Sequence, residues 1–154
     1  MAKILFICHG NICRSPMAEF VFKHMIEKLG RSEDFYVASA ATSYEEIGNR
    51  VHPGTAKVLD RLNISYKDKR AEYLEKADYK KYDYLICMDS ANVRNTLRIV
   101  GEDPDKKVHK LMNFTSLDKD VADPWYTGDF ETTYNDISVG CEGLLAYIDR
   151  IKEE

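Results

Sequence analysis

Short, almost wholly apolar runs alternate along the chain with stretches whose apolar residues recur every third or fourth position, the pattern of buried strands interleaved with amphipathic helices. Lys3 to Cys8 is the first run, bounded by His9-Gly10-Asn11, and predicts a strand covered on both faces. Ser15-Pro16 predicts a helix start, with Ser15 as N-cap and Pro16 in the first helical position. Met17, Val21, Met25 and Leu29 follow at intervals of four, with Phe20 and Phe22 beside them, and Gly30 ends the run. Phe35 to Ala41 predicts a second strand. Thr42 to Val51 is polar and reads as a loop, and a helix is expected from about Thr55 to Leu62. Tyr84 to Met88 predicts a third strand, with Asp89 placed to cap a helix carrying Val93, Leu97 and Val100; Val108 to Met112 predicts a fourth strand. The last helix has the clearest stripe, in Phe130, Tyr134, Ile137, Cys141, Leu144, Leu145, Ile148 and Ile151. Gly140 and Gly143 each weaken it by about 1 kcal/mol relative to alanine.

Strands alternating with helices over 154 residues predict a single α/β domain, residues 1–154, built in three layers: a four-stranded parallel sheet with helices on both faces. Ligands of such sheets sit beyond the carboxyl ends of the strands, and Cys8 falls at that edge.

Composition narrows the class. The net charge of −4 argues against a dedicated nucleic-acid surface, so no nucleic-acid partner is expected. The apolar run Ile4-Leu5-Phe6-Ile7 is too short for a signal-peptide core or a membrane span, so no membrane association is expected. Cys8, Cys13, Cys87 and Cys141, with no export signal, read as free thiols of a reducing compartment, and a cytoplasmic location is expected. Their spacing does not match a zinc site, and no metal is expected.

The chemistry lies in Cys8-His9-Gly10-Asn11-Ile12-Cys13-Arg14-Ser15-Pro16, which joins the first strand to the first helix. Amides of such a loop can turn inward as a nest, and the helix start adds its own unpaired N–H groups, which makes an anion site. Arg14 adds a permanently charged planar fork suited to two phosphate oxygens. The same positive environment favours a thiolate at Cys8. At an effective dielectric of about 20, a cation roughly 4 Å from an anion contributes about 4 kcal/mol, so thiolate and phosphate dianion are both tolerable without a metal ion. A cysteine six residues before an arginine is by itself weak evidence. Gly10, Asn11, Ser15 and Pro16 at a strand-to-helix junction make a merely packed thiol the poorer reading.

These nine residues closely resemble the signature of the low-molecular-weight protein tyrosine phosphatases. The likeness continues through Ser39-Ala40-Ala41-Thr42-Ser43, Cys87-Met88-Asp89 and Asp123-Pro124-Trp125-Tyr126, in the family's order over almost the whole chain. The resemblance implies a flavodoxin-like fold and a cofactor-free hydrolase. Its substrates would be phosphotyrosine-containing proteins or peptides (and aryl phosphates), and its product inorganic phosphate. It implies that Cys8 attacks phosphorus to give a phosphocysteine. His9, Gly10, Asn11, Ile12, Cys13 and Arg14 would form the phosphate-binding P-loop, with Arg14 on the equatorial oxygens. Asp123 would protonate the departing tyrosine oxygen and then accept a proton from the attacking water. Tyr44, Trp125 and Tyr126 match positions that flank the substrate ring. A deep aromatic slot excludes phosphoserine, whose shorter side chain cannot bring its phosphorus to Cys8.

Several roles stay open at this level. Ser15 is either a helix cap or a donor to the Cys8 sulfur, and Asn11 is expected to fix the loop through its amide. Asp89 either orients a loop partner such as Arg14 or caps the next helix. Cys13 is either a redox guard that traps oxidised Cys8 or a packed thiol. Two departures from the family stand out. His9 replaces a residue that is usually hydrophobic at the pocket rim. The stretch after the second helix, Asn63 to Ala71, lacks the histidine that often supports the loop, so whatever steadies Asn11 must differ. Rival readings fit less well. An arsenate reductase needs a cysteine relay that Cys87 and Cys141 are not placed to give, and sugar-transport phosphocarriers lack the Asp-Pro acid loop. A protein-arginine phosphatase carries threonine where Ile12 stands, and a dead binding module would not keep Cys8, Arg14 and Asp123.

Overall fold

β1 (Ala2–Cys8) shows why an unbroken apolar run forms a central strand: successive side chains point to opposite faces, and both faces are covered. Ile4 and Phe6 pack with Met17, Phe22, Ile137 and Leu144, whereas Leu5 and Ile7 pack with Leu74, Tyr82, Leu85 and Val100. The computed structural model describes residues 1–153. After β1 come α1 (Arg14–Lys28), β2 (Phe35–Ala41), α2 (Pro53–Arg61), the single turn α3 (Asp78–Lys81), β3 (Tyr84–Cys87) and α4 (Ser90–Val100). β4 (Val108–Lys110), the single turn α5 (Pro124–Thr127) and α6 (Phe130–Glu153) complete the chain, with 3-10 turns at Ser32–Asp34 and Leu111–Phe114.

The four strands form one all-parallel sheet in the order β2-β1-β3-β4. The chain leaves β1 to one side for β2 and later returns to its other side for β3. The switch point therefore lies at the carboxyl end of β1, where Cys8 pairs with Ala41 of β2. α1, α2 and α6 supply the core on one face, and α3 and α4 cover the other, which is the expected three-layer α/β arrangement.

Besides shifts of one residue at the start of β1 and the end of β3, three boundaries differ from expectation. β4 stops at Lys110 because Leu111 and Met112 turn inward through a 3-10 turn and are buried beneath α6. α1 begins at Arg14, with Cys13 as its N-cap and no side-chain cap, so Ser15 is not the cap and Pro16 is the third helical residue. Proline is tolerated there because a first-turn N–H has no intrahelical acceptor. α2 begins at Pro53, capped by His52, whose Nδ1 accepts from the Gly54 amide at 3.0 Å.

Candidate active site

The loop from Cys8 to Arg14 is pinned from outside by its own carbonyls. Those of Cys8 and His9 accept from the Thr42 and Ser43 amides at 3.0 and 3.1 Å. Those of Ile12 and Cys13 accept from the His52 amide at 2.8 Å and the Thr55 hydroxyl at 3.1 Å. The polar stretch after β2 and the start of α2 are thus sewn to the loop. Among the described residues the amides of Gly10, Ile12, Cys13 and Arg14 have no acceptor, so the loop keeps its donors free for an anion. The Asn11 and Ser15 amides point at the Cys8 sulfur, at 3.3 and 3.4 Å, and the Ser15 Oγ lies 2.9 Å from it. The sulfur takes the place at the start of α1 that a capping oxygen usually fills.

Asn11 adopts φ 59°, a left-handed conformation that asparagine tolerates better than most residues. Its Oδ1 accepts from the Glu72 amide at 3.0 Å, which fixes the amide's orientation, and its Nδ2 donates to Ser15 Oγ at 2.7 Å and Ser39 Oγ at 2.9 Å. Because Ser15 Oγ accepts from Asn11, its own proton is free for the sulfur. Of the two readings of Ser15, the geometry therefore supports the donor. Asn11 and Ser15 are buried behind the loop and form its support.

Arg14 is buried at 4% exposure and its guanidinium is held on three sides. Nη2 lies 2.9 Å from Asp89 Oδ2 and 3.3 Å from Asp123 Oδ2, while Nη1 donates to the Val121 carbonyl at 3.2 Å. Asp89 also accepts from the Asn92 amide at 2.8 Å, in a reciprocal capping box, so it both caps α4 and orients Arg14. Asp123 opens α5 by accepting from the Trp125 amide at 3.0 Å, and Asp-Pro is there a helix start as well as a site element. Cys8, His9, Gly10, Ile12, Cys13, Arg14, Asp89, Asp123, Trp125 and Tyr126 line one open cavity of about 460 Å³. Burial first, then the nearby Cys8 and Asp123, pushes the Cys13 thiol up to about 12.

The family model described as low molecular weight phosphotyrosine protein phosphatase matches residues 3–154. The chain belongs to this family. The phosphatase is 37% identical to the low molecular weight protein-tyrosine-phosphatase YfkJ of Bacillus subtilis, over 99% of each chain. It is 36% identical to PtpA of Staphylococcus epidermidis, over 96% of this chain and 94% of that one. The crystal structure of YfkJ superposes with a TM-score of 0.95, covering 99% of this chain and 97% of that one at 38% identity. That of a low molecular weight protein tyrosine phosphatase from Streptococcus pyogenes superposes with a TM-score of 0.86 at 39% identity, covering 96% and 93%.

The aromatic residues of the phosphatase divide. Trp125 and Tyr126 stand on the cavity wall, 67% and 86% exposed. Trp125 meets His52 edge-on at 6.3 Å, and His52 stacks on Phe130 at 5.1 Å. Tyr44 does not line the cavity, contrary to expectation. Its ring stacks on Tyr73 with centroids 3.9 Å apart, and each buries a face on the other, while Glu45 and Glu46 take the lining positions. His9 Nε2 sits 3.0 Å from Glu45 Oε2 at the rim. Sequence reasoning missed Val121, Glu19 and Lys69. Val121 contributes only a carbonyl and leaves no side-chain signal. Glu19 had one, since Ser15, Glu19 and Lys23 recur every four residues and share a face of α1.

Proposed function

We propose that residues 1–154 act as one protein tyrosine phosphatase domain that works through a phosphocysteine on Cys8, with Arg14 as phosphate clamp and Asp123 as general acid and base. The observation that carries this reading is the convergence of three donors on the Cys8 sulfur, in the same cavity as the Arg14 guanidinium and the Asp123 carboxylate. Sulfur attacks phosphorus in line, and the bond to the tyrosine oxygen breaks as Asp123 protonates that oxygen. Water then attacks phosphorus, its proton passes to Asp123, and the P–S electron pair returns to sulfur as thiolate. Free loop amides and Arg14 hold the equatorial oxygens, where charge is carried in the transition state. The two carboxylates on Arg14 offset its charge, so a dianion is better accepted when Asp123 enters carrying the proton it will donate.

A cavity of about 460 Å³ with the apolar Ile12 and Trp125 on its wall supports phosphotyrosine in proteins or peptides as substrate. Trp125 and Tyr126 flank the ring, and Tyr44, paired with Tyr73, meets the peptide further out. No described helix is long and apolar enough to cross a membrane. Four unpaired buried thiols support a cytoplasmic location.

Stopped-flow hydrolysis of p-nitrophenyl phosphate in chelator tests the reading. A burst of one equivalent is expected, and Cys8→Ser abolishes both burst and turnover. In kcat/KM, which reports the step that expels the leaving group, Asp123→Asn is expected to lose about 10²–10⁴-fold on phenyl phosphate and far less on substrates with acidic leaving groups. An equal loss on every leaving group would remove Asp123 from its role, and turnover by Cys8→Ser would remove the phosphocysteine.

A further inference from the structure

Behind the loop, a run of buried polar groups leads away from Cys8 and ends on a lysine. Ser39 Oγ donates to Glu19 Oε1 at 2.6 Å, and Glu19 Oε1 lies 3.7 Å from Lys69 Nζ. Lys69 Nζ also donates to the Ser39 carbonyl at 3.0 Å. Three residues on, the Glu72 amide holds Asn11 Oδ1, so one segment grips the support of the loop at two points.

The hydrogen bonds in this run are directed from two ends, by the Glu72 amide on Asn11 Oδ1 and by the Glu19 carboxylate on Ser39. An ionised Glu19 only accepts, so Ser39 must give its proton to Glu19 and can only accept from Asn11. The two Nδ2 protons of Asn11 then go to Ser39 and Ser15, and the Ser15 proton is left for the Cys8 sulfur. The side chain of Glu19 is 6% exposed, and a buried carboxylate stays charged only beside cations. Two are present. Lys23 is the nearer, at 2.6 Å, but is 43% exposed and its pairing is weakened by solvent, whereas Lys69 is 10% exposed and anchored by a backbone carbonyl.

We propose that Lys69 is a positioning residue for phosphocysteine breakdown: by holding Glu19 and the Ser39 carbonyl in place it fixes the Ser39 hydroxyl against Asn11, whose other Nδ2 proton leaves the Ser15 hydroxyl free for Cys8. This rests on the phosphatase reading. In that step the P–S bond breaks and its electron pair returns to sulfur, where a donated hydrogen bond stabilises the departing thiolate. The water oxygen bonds to phosphorus, and its proton goes to Asp123.

Lys69→Gln tests this, because the amide can still donate to the Ser39 carbonyl while the charge is gone; Lys69→Arg keeps the charge. Three quantities are measured on each folded variant: the steady rate after the burst, the iodoacetate alkylation rate of Cys8 at pH 5.5, and the thermal midpoint. Lys69→Gln is expected to slow the steady phase about tenfold with the burst retained, and to slow alkylation severalfold. Lys69→Arg is expected to stay within about twofold of the parent. In a Glu19→Gln background, Lys69→Gln is expected to add nothing, since Lys69 acts through Glu19. A lowered midpoint with unchanged steady and alkylation rates would make Lys69 merely structural and overturn the proposal, as would additive losses in the double variant. If Cys8→Ser still turns over, the phosphocysteine reading fails separately. The alkylation arm then decides: slowing in Lys69→Gln keeps the link to Cys8, and equal rates remove it.

Discussion

Cys8 and Cys13 are both buried and lie on the same short loop, yet their surroundings give them opposite chemistry. Two amides and a hydroxyl converge on the Cys8 sulfur, donors aimed where negative charge develops as it attacks and leaves phosphorus. Cys13 is held as a thiol, its pKa raised to about 12 by burial and then by the nearby Cys8 and Asp123. Cys87, raised to about 12 by burial, and Cys141, raised further by full burial, are equally inert. Because thiolate is the reactive form, iodoacetamide at pH 7 is expected to label Cys8 alone, with inorganic phosphate protecting it. The other three are expected to react only after unfolding. Peptide mass mapping at partial labelling checks this, and comparable early labelling of Cys13 would contradict it.

At the scale of elements, the apolar runs and helical stripes were legible because burial on both faces or on one stripe leaves a periodic trace. β2 follows it to the residue, as does the cap of α4 at Asp89, and the stripe of α6 is buried from Ile137 to Ile148 while Ile151 is exposed. What left no trace was contact between distant segments. Ser15-Pro16 reads as a helix start, but the hydroxyl is taken by Cys8 and Asn11, and the helix begins two residues earlier. Tyr44 reads as a pocket wall, but Tyr73, which no local pattern links to it, claims its face. The candidate loop was legible as a set of residues, whereas its support through Glu19, Ser39 and Lys69 joins three elements far apart in sequence. The glycines of α6 are a similar case. By propensity they only weaken the helix, yet a Cβ on Gly140 would meet Leu111 Cγ at 2.5 Å, and one on Gly143 would overlap the Phe114 carbonyl oxygen. These positions let the Leu111–Phe114 turn lie flat against α6. Gly143→Ala is therefore expected to destabilise the protein by about 1–3 kcal/mol, despite a propensity gain of about 1 kcal/mol. Urea unfolding measures it, and an equal or higher midpoint would show that the turn can move aside.

Over the whole molecule, the groups that tie distant segments together also set how stability responds to pH. Arg31, after α1, holds Asp149 of α6 through two bonds of 2.8 and 2.9 Å, and this keeps the Asp149 carboxyl below its ordinary 3.8. Burial alone would raise Asp103, but the Tyr79 hydroxyl and the Lys107 and Val108 amides outweigh it and lower its pKa. Both contributions are complete above 3.8, the value in the unfolded chain, and are lost as pH falls through the lower folded values. Burial likewise lowers His109 from 6.5, against the opposing pull of the Lys106 backbone and Asp103, so the unfolded chain takes this proton first. Its contribution is complete above 6.5 and declines below it. At the alkaline end burial raises Tyr82 and Tyr84 from 10.0, so theirs is complete below that value and lost as pH rises. The urea midpoint is expected to be level from about pH 7 to 8.5, with a first decline below pH 6.5, a steeper one below pH 3.8 and another above pH 9, where the buried Cys13, Cys87 and Cys141 thiols and then the tyrosines resist ionisation. His109→Phe keeps an aromatic ring beside Phe114 and Tyr147, 5.4 and 6.5 Å from the present imidazole, and removes its titration. It is expected to flatten the first decline and leave the other two in place. If the first decline keeps its size in that variant, the proton responsible belongs to another group.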